Sequence, residues 1–433
     1  MTPLINCAIG IDDNGTILSV TTPDDPDHAG ILSDARLADR LQQMPSHTYL
    51  IPGLVDLHIH APQWPQLGKA LDAPLEEWLL KYTFPLEAKF SDIGFATEVY
   101  DDLVATLLAH GTTTAVYFGS VDLEPNVVLA KACLKHGQRA IIGKVAMDHP
   151  ETCPDYYRDA TPDDAISLTR AFIQTLAELQ AGGQLLVHPA ITPRFVPSCT
   201  DALLEGLGDL ARQTGCHVQT HCAESDWEVA HVKERFGKTD AETLAQFGLM
   251  TNKTILAHSN FVTDGDMDSI ALHGSAVAHC PLSNAYFANA VFPARRALDR
   301  GLKVGLGTDI SGGFSPSLFE TARTALVASR CACSGTNPNL PQVERGTGED
   351  ALTTTEVFWL ATKGGAEACA LPVGAFETGR QFDALGVRAG DVTSGFRVHA
   401  SDSHQDIFEK LVLTANVASL SHVWVDGVQI DTA

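Results

Sequence analysis

The sequence is poor in basic residues and has no long apolar run. Its 433 residues include 29 Lys and Arg against 53 Asp and Glu, so the formal net charge is −24. This charge repels a phosphate backbone, and we expect no nucleic-acid partner. No apolar run reaches the roughly 18 residues that a membrane span needs, and the first basic residue is Arg36. We therefore expect a soluble, cytoplasmic protein with no membrane partner.

Several reactive motifs are also missing. The ten cysteines include no C-x-x-C pair, and the closest two are Cys331 and Cys333. Scattered free cysteines are typical of reducing compartments, where they act as small buried hydrophobic residues, so we expect no disulfide or redox role. The H-E-x-x-H motif of metalloproteases and the P-C-x-x-C motif of cytidine-type deaminases are absent too.

What the chain does contain is a globular composition and a repeated β/α pattern. Hydrophobic residues make up 45% of it and charged residues 19%, values typical of a folded globular protein. Short β-rich runs alternate with segments of helical spacing, which indicates β/α units around a parallel sheet. The eight predicted strands are Leu54–His60, Thr113–Phe118, Ala140–Met147, Leu185–Thr192, His217–His221, Thr254–His258, Ser275–His279 and Lys303–Thr308. The predicted helices include Ala96–Ala109, Ala165–Leu179, Ala202–Gln213 and Val229–Phe236. The fold class is therefore α/β, a (β/α)8 TIM-like barrel.

Both ends of the chain carry further β-like runs. These runs are Cys7–Ile11, Ile17–Val20, Leu411–Thr414, Ser421–Val425 and Val428–Ile430. The first two flank an Asn-Gly turn, which is a hairpin signal. A hairpin this small is not stable alone, so we expect the two ends to form one small β-sandwich domain. This assigns 1–51 and 376–433 to the small domain and 52–375 to the catalytic barrel.

The stretch I-P-G-L-V-D-L-H-I-H-A-P-Q, residues 51–63, places two histidines at the end of the first predicted strand. Because side chains alternate along a strand, His58 and His60 point the same way and can reach one metal ion. Taken alone, such a pair is more often structural than metal-binding. Catalytic zinc needs at least three protein ligands, so other strand ends must supply the rest.

Reactive side chains recur at the predicted strand ends. The fifth strand ends in His221, which Glu224 follows; the sixth ends in His258, the seventh in His279, and Asp309 follows the eighth. The active site of a (β/α)8 barrel lies at the carboxyl ends of its strands. A single histidine there is commonly a buried core residue, but five strand ends carrying His or Asp together indicate a site.

The chemistry of these side chains suggests their roles. Imidazole nitrogens with one carboxylate suit zinc or another borderline divalent ion, which lowers the pKa of a bound water. Asp309 can take the proton of that water, and His258 either ligates the metal or holds the water. Glu224 can reach the same water and is the predicted proton shuttle. The predicted metal ligands are His58, His60, His221, His258 and Asp309, and the predicted catalytic residues are Glu224, Asp309 and His258.

A second metal is not expected. In many barrels of this kind a modified lysine at the end of the fourth strand bridges two ions. Residues 185–195 contain no Lys. We therefore predict a single Zn²⁺ per subunit.

Several blocks carry a resemblance to a known family. They are PGLVDLHIHAPQ (52–63), EWLLKYTFPLEAKF (77–90), GTTTAVYF (111–118), GQRAIIGKVAMD (137–148), ITPRFVPSC (191–199), THCAES (220–225), GLMTNKTILAH (248–258), AHCPLSN (278–284) and GLGTDISGG (305–313). From Pro52 to about Asp383 the chain resembles the amidohydrolase superfamily, and within it the guanine deaminases. The resemblance implies a homodimeric, zinc-dependent enzyme of purine catabolism that hydrolyses guanine to xanthine and ammonia.

The resemblance also implies which residues contact the purine. They are Gln63, Arg194, Phe195, His221, Glu224 and Asp309. Arginine presents fixed donors to the O6/N7 edge of guanine, and an aromatic ring can pack on the purine face. The alternatives are that Arg194 is an ion-pair partner and that Phe195 is a core residue.

Two other functions stay open at this stage. A related deaminase would act on 8-oxoguanine, an aminotriazine or an adenine derivative. A non-catalytic barrel relative would act in protein assembly, but such proteins usually lose metal ligands, whereas every candidate ligand is present here.

Overall fold

The computed structural model describes residues 3–183, 185–390 and 392–432. Within these residues the strands are β1 (Ala8–Ile11), β2 (Ile17–Thr21), β3 (Thr48–Pro52), β4 (Leu54–His60), β5 (Thr112–Phe118), β6 (Arg139–Ala146), β7 (Val187–Pro193), β8 (His217–Cys222), β9 (Thr254–His258), β10 (Ala276–His279), β11 (Lys303–Leu306), β12 (Ala384–Arg388), β13 (Leu420–Val425) and β14 (Val428–Ile430).

The same residues also form α-helices. They are α1 (His28–Leu37), α2 (Leu75–Trp78), α3 (Phe84–Glu87), α4 (Ile93–Ala109), α5 (Leu123–His136), α6 (Pro162–Leu179), α7 (Asp201–Thr214), α8 (Asp226–Phe236), α9 (Asp240–Gln246), α10 (Asp264–His273), α11 (Pro281–Ser283), α12 (Ala294–Asp299), α13 (Leu318–Ser334), α14 (Thr354–Trp359), α15 (Gly365–Ala368) and α16 (His404–Thr414). None of them is both long enough and apolar enough to cross a membrane.

Strands β4 to β11 form one parallel sheet in chain order. The first and last of these strands approach each other through the segment that follows β11. Asp309 N donates to His58 O at 2.8 Å, and His60 N donates to Ile310 O at 2.8 Å. The predicted (β/α)8 barrel is therefore confirmed, with all eight predicted strands present.

The covering helices begin and end where the sequence provides caps. The Thr161 side chain accepts from Asp164 N at the start of α6, and the Thr200 side chain accepts from Leu203 N at the start of α7. Such caps satisfy backbone donors that a helix start otherwise leaves free. Helix α7 ends at Thr214 and is followed by Gly215, whose φ of +63° few other residues adopt readily. Because the helix ends here, the chain begins the next strand, β8, after only a few residues.

The chain ends contribute antiparallel sheets beside the barrel. Strands β1 and β2 form a hairpin, and β14, β13, β12 and β3 form a four-stranded sheet in that order. The small sheet domain is thus confirmed, although its strands β3 and β12 were not predicted. The prediction of a strand at Leu411–Thr414 is wrong, because these residues complete α16, which begins at a capping box of Ser403 with Asp406. The division of the chain at 51 and 375 stays a prediction.

A buried ion cluster joins the barrel to the small sheets. Arg139 at the start of β6 donates through Nε and Nη2 to the two carboxylate oxygens of Asp383, both at 3.1 Å. Its guanidinium also bonds the carboxylate of Asp426. All three side chains are buried, so the single guanidinium offsets part of the negative charge of the two carboxylates where water cannot.

Candidate metal centre and active site

Five side chains converge at the carboxyl ends of the barrel strands. The shortest separations are 3.1 Å between the Nε2 atoms of His60 and His221 and 3.3 Å between His58 Nε2 and Asp309 Oδ1. Asp309 Oδ1 lies 3.7 Å from His60 Nε2, and Asp309 Oδ2 lies 3.9 Å from His258 Nε2. All five side chains are buried. The structure therefore brings together every predicted metal ligand.

Hydrogen bonds on the far side of two rings determine which nitrogen faces this cluster. His221 Nδ1 donates to the carbonyl of Arg194 at 2.6 Å, and His258 Nδ1 donates to Asn284 Oδ1 at 2.9 Å. A carbonyl oxygen only accepts, so both rings carry their proton on Nδ1 and turn the Nε2 lone pair inward. The Nε2 atoms of His58 and His258 are buried, and no described group forms a hydrogen bond with them. A cation among these lone pairs would satisfy them, so the residues fit a metal ion.

The electrostatic surroundings keep these imidazoles neutral. Burial lowers the pKa of His58, His60 and His221 well below its ordinary value, and neighbouring histidines and Arg194 lower it further. Neutral imidazole is the form that binds metal. The ligands are therefore ready for an ion without first losing a proton.

Glu224 stands at the edge of the cluster. Its Oε1 atom is 3.7 Å from His258 Nε2, and 13% of its side chain is exposed. Burial, and then the Asp309 carboxylate, raises the pKa of Glu224 to about 8. Both the ionised and the protonated form are accessible near neutral pH, as proton transfer requires.

The backbone is strained where the strands end. Ala223, His258, Ser259 and Asp309 have φ values of +49°, +66°, +56° and +50°. Such left-handed conformations are unfavourable for residues other than glycine and persist only where the surroundings hold them. The strain coincides with the residues that bring the candidate ligands together.

The purine-binding candidates lie beside the metal ligands. The Arg194 guanidinium donates from Nη1 to Glu87 Oε2 at 2.7 Å and from Nη2 to Glu87 Oε1 at 3.1 Å. Gln63 Nε2 donates to the same Glu87 Oε1 at 2.8 Å, and Gln63 Oε1 accepts from Ser311 N at 3.2 Å. The ring of half-buried Phe195 is 6.3 Å from that of His221. These three residues therefore form one wall next to the cluster.

Comparison with known proteins now decides the family. The profile of the amidohydrolase family matches residues 49–431. The chain belongs to the amidohydrolase family. Members of this family are metal-dependent, which agrees with the cluster of imidazoles and carboxylate described above.

Several relatives of this chain are named as guanine deaminases. A probable guanine deaminase of Schizosaccharomyces pombe is 38% identical over 88% of this chain and 71% of its own length. The guanine deaminase of Dictyostelium discoideum is 35% identical over 99% of this chain and 94% of its own. The crystal structure of a guanine deaminase from C. acetobutylicum with bound guanine is 30% identical, has a TM-score of 0.86, and covers 99% of this chain and 96% of its own.

Sequence reasoning missed two buried acids of this amidohydrolase. Glu87 holds both Arg194 and Gln63, although it lies more than a hundred residues from Arg194 along the chain. Asp56 accepts from Thr308 Oγ1 at 2.5 Å and from His58 N at 3.2 Å. Burial raises the pKa of Asp56 to about 7. An acid inside an otherwise apolar strand, as in L-V-D-L, was the available signal for Asp56.

His279 lies apart from the ligand atoms that converge. It is buried at the end of β10, and its ring packs 5.4 Å from that of Phe292. Burial lowers the pKa of His279 to about 3, so it is neutral. His279 is not among the predicted metal ligands, and we predict that it supports them from the neighbouring strand end.

Proposed function

We propose that this amidohydrolase hydrolyses guanine to xanthine and ammonia with one Zn²⁺ per chain. The observation that carries the proposal is the likeness, over nearly its whole length, to a guanine deaminase crystallised with guanine in its active site. The converging Nε2 lone pairs, with Glu224 beside them, supply the chemistry that such a reaction needs. A homodimer, which the resemblance implies, and a cytoplasmic location, which the position of the first basic residue and the lack of a long apolar run predict, stay predictions.

The five converging side chains are the residues that would hold the metal: His58, His60, His221, His258 and Asp309. When bound, zinc is a Lewis acid that makes water nucleophilic at neutral pH. Asp309 offers two carboxylate oxygens on different sides of the cluster, one near His58 and one near His258. It can therefore ligate through one oxygen and accept a hydrogen bond from the water through the other.

Glu224 is the proton carrier of the proposed reaction. It takes a proton as water adds to C2 of guanine and passes it to the adjacent ring nitrogen. It then takes the proton of the new hydroxyl on C2 and delivers it to the departing amine, as the C2–N bond breaks and the C2 carbonyl forms. Guanine and water thus give xanthine and ammonia, with Glu224 returned to its starting state. Its pKa near neutrality, caused mainly by burial, suits a group that both accepts and donates.

Arg194 and Phe195 are the proposed recognition residues. Two of the five Arg194 donors are held by Glu87, and the others remain to bond the O6/N7 edge of the purine. Phe195 would pack on the ring face. A purine without O6 would leave buried donors unpaired, which disfavours adenine. Gln63 completes this wall, since its amide fixes both Glu87 and the Ser311 backbone.

Ammonia release from purified, zinc-loaded protein tests this proposal. Guanine is offered beside adenine, 8-oxoguanine, cytosine and an aminotriazine, and a chelator is then added. We expect guanine to react fastest and chelation to abolish the reaction. Faster turnover of another ring would overturn the assigned substrate, and no turnover of any ring by metal-loaded protein would overturn the enzymatic function.

A further inference from the structure

We propose that Glu228 and Asp240 share one proton and together position Glu224. The inference rests on the proposed function, because it concerns the residue to which that function gives proton transfer. Neither acid contacts the metal ligands, so both are positioning residues. Their role is to fix the turn that carries Glu224.

The contacts run from two helices to two successive peptide groups. Glu224 N donates to Glu228 Oε2 at 2.7 Å, and Ala223 N donates to the Asp240 carboxylate. Glu228 lies in the first turn of α8, and Asp240 is the first residue of α9. Their exposures are 1% and 2%. Two buried carboxyl groups thus accept hydrogen bonds from successive backbone N–H groups of the turn after β8.

The remaining oxygens of the two acids indicate the shared proton. Glu228 Oε1 and Asp240 Oδ1 are buried, and no described group donates to them. The two carboxyl groups are within hydrogen-bond reach of each other. Two carboxylates cannot form a hydrogen bond, whereas a carboxylic acid and a carboxylate can. Burial raises the pKa of Glu228 well above its ordinary value, with a further rise from Asp240, which supports a proton on Glu228.

The turn needs such support because its backbone is strained. Ala223 has a φ of +49°, a left-handed conformation that is unfavourable for a residue with a Cβ atom. Asn260 Nδ2 donates to Glu224 O at 3.0 Å. The peptide groups on both sides of Glu224 are therefore fixed, and with them the direction in which its side chain leaves toward His258.

Amide substitutions test the shared proton. In Glu228→Gln or Asp240→Asn, an amide NH₂ replaces the carboxyl O–H as the hydrogen-bond donor. The remaining carboxylate still accepts, and the net charge of the pair is unchanged. We expect each single variant to retain at least about a third of wild-type kcat. In the double variant, each amide oxygen must accept from a backbone N–H, one from Glu224 and one from Ala223. The two NH₂ groups then face each other, and because both are donors they cannot form a hydrogen bond. We expect kcat to fall by about 10- to 100-fold, with KM for guanine and zinc content unchanged.

The control variant changes another acid of α8. Asp226→Asn, on the exposed side of α8, should leave kcat unchanged. Single variants that lose as much kcat as the double variant would overturn the shared proton. A double variant with lower thermal stability but wild-type kcat would overturn the positioning role. Should the double variant not fold, Glu228→Met removes the acceptor of Glu224 N and should lower kcat at unchanged zinc content; wild-type kcat in it would overturn the positioning role.

Amide hydrogen exchange separates this inference from the proposed function. Exchange at Ala223 and Glu224 should stay slow in the single variants and become fast in the double variant, whether or not guanine is a substrate. Equal exchange in all variants would overturn the inference. Inactive wild-type protein would instead overturn the proposed function alone.

Discussion

Arg194 contacts a candidate metal ligand through its backbone and belongs to the proposed purine-binding wall through its side chain. Its carbonyl accepts from His221 Nδ1 at 2.6 Å, which orients that ligand. Its guanidinium is held by Glu87 and lies 5.0 Å over the Phe84 ring. Because the backbone and the side chain of Arg194 both make these contacts, a displacement of Arg194 would disturb the proposed purine recognition and the candidate metal ligands together.

Loss of Glu87 tests how strongly this arrangement is held. Glu87→Ala leaves the Arg194 cation buried and unpaired, so we expect the free energy of unfolding to fall by about 3–5 kcal/mol. KM for guanine should also rise. Urea denaturation and steady-state kinetics give both values. The matched control is Glu77→Ala, whose pair with Lys81 is largely exposed and should contribute little to stability, because water screens it. Equal effects of the two substitutions would contradict the assigned role of Glu87.

Removal of the Glu224 carboxylate tests proton transfer. Glu224→Gln keeps the size of the side chain but cannot carry the proton, so we expect kcat to fall by about 10²–10⁴-fold. Zinc content should be unchanged, because the ligand atoms are supplied by other residues. Stopped assays for xanthine and elemental analysis measure the two quantities. A variant with near wild-type kcat would show that another group moves the proton.

At this scale, the sequence could predict the side chains at strand ends but not their partners. His58, His60 and His221 follow from strand positions, since the barrel brings all carboxyl ends to one face. Glu87 could not be predicted, because it lies on the short helix α3 and meets Arg194 only in the folded barrel. Local periodicity carries no information about such distant pairs.

Among the elements, β4 contacts the segment after β11 where the barrel closes, and we call this contact the seam. It carries two of the candidate metal ligands. Thr308 donates to Asp56 through both its backbone N at 3.0 Å and its Oγ1 at 2.5 Å. The next residue, Asp309, donates through N to the carbonyl of His58. Two candidate ligands are thus placed by the hydrogen bonds that close the barrel.

Substitution of Thr308 tests this seam. Thr308→Val keeps the shape but leaves a buried Asp56 oxygen without its hydroxyl donor, so we expect the free energy of unfolding to fall by about 1–3 kcal/mol. Zinc affinity should fall by about tenfold or more, since neighbours of the ligands shift. Competition with a chelator measures the affinity. Thr308→Ser retains the hydroxyl and is the control; if it and Thr308→Val behave alike, the hydroxyl does not hold the seam.

Element prediction succeeded in the barrel and failed where context decides. The eight barrel strands alternate with helices, as the repeated β/α pattern of the sequence predicts. Leu411–Thr414 is a short apolar run, which alone fits a strand or a helix, and the cap at Ser403 settles it as helix. Strands β3 and β12 pair with each other although more than 300 residues separate them, a distance over which the sequence gives no local signal.

In the whole molecule, the Arg139 cluster couples the barrel to the small sheets. Arg139→Met would leave Asp383 and Asp426 buried without a cation, and we expect a loss of about 3–5 kcal/mol in the free energy of unfolding. Arg139 begins β6, at the end of the barrel opposite the metal centre, so zinc content and KM should be unchanged in the folded protein. Lys135→Ala removes an exposed cation that pairs with Asp101 and is the control. A changed KM would contradict the separation of the two ends.

The most direct test of the account is zinc titration of metal-free protein with guanine turnover as the readout. The candidate ligand side chains form overlapping groups of three, with ligand atoms within 4.8 Å of one another in each group, and 185–195 offer no lysine to bridge a second ion. We predict that xanthine formation is absent without metal, rises in proportion to added zinc and reaches its plateau at about one equivalent per chain. Activity without metal, or a plateau at two equivalents, would contradict the proposed single-zinc guanine deaminase.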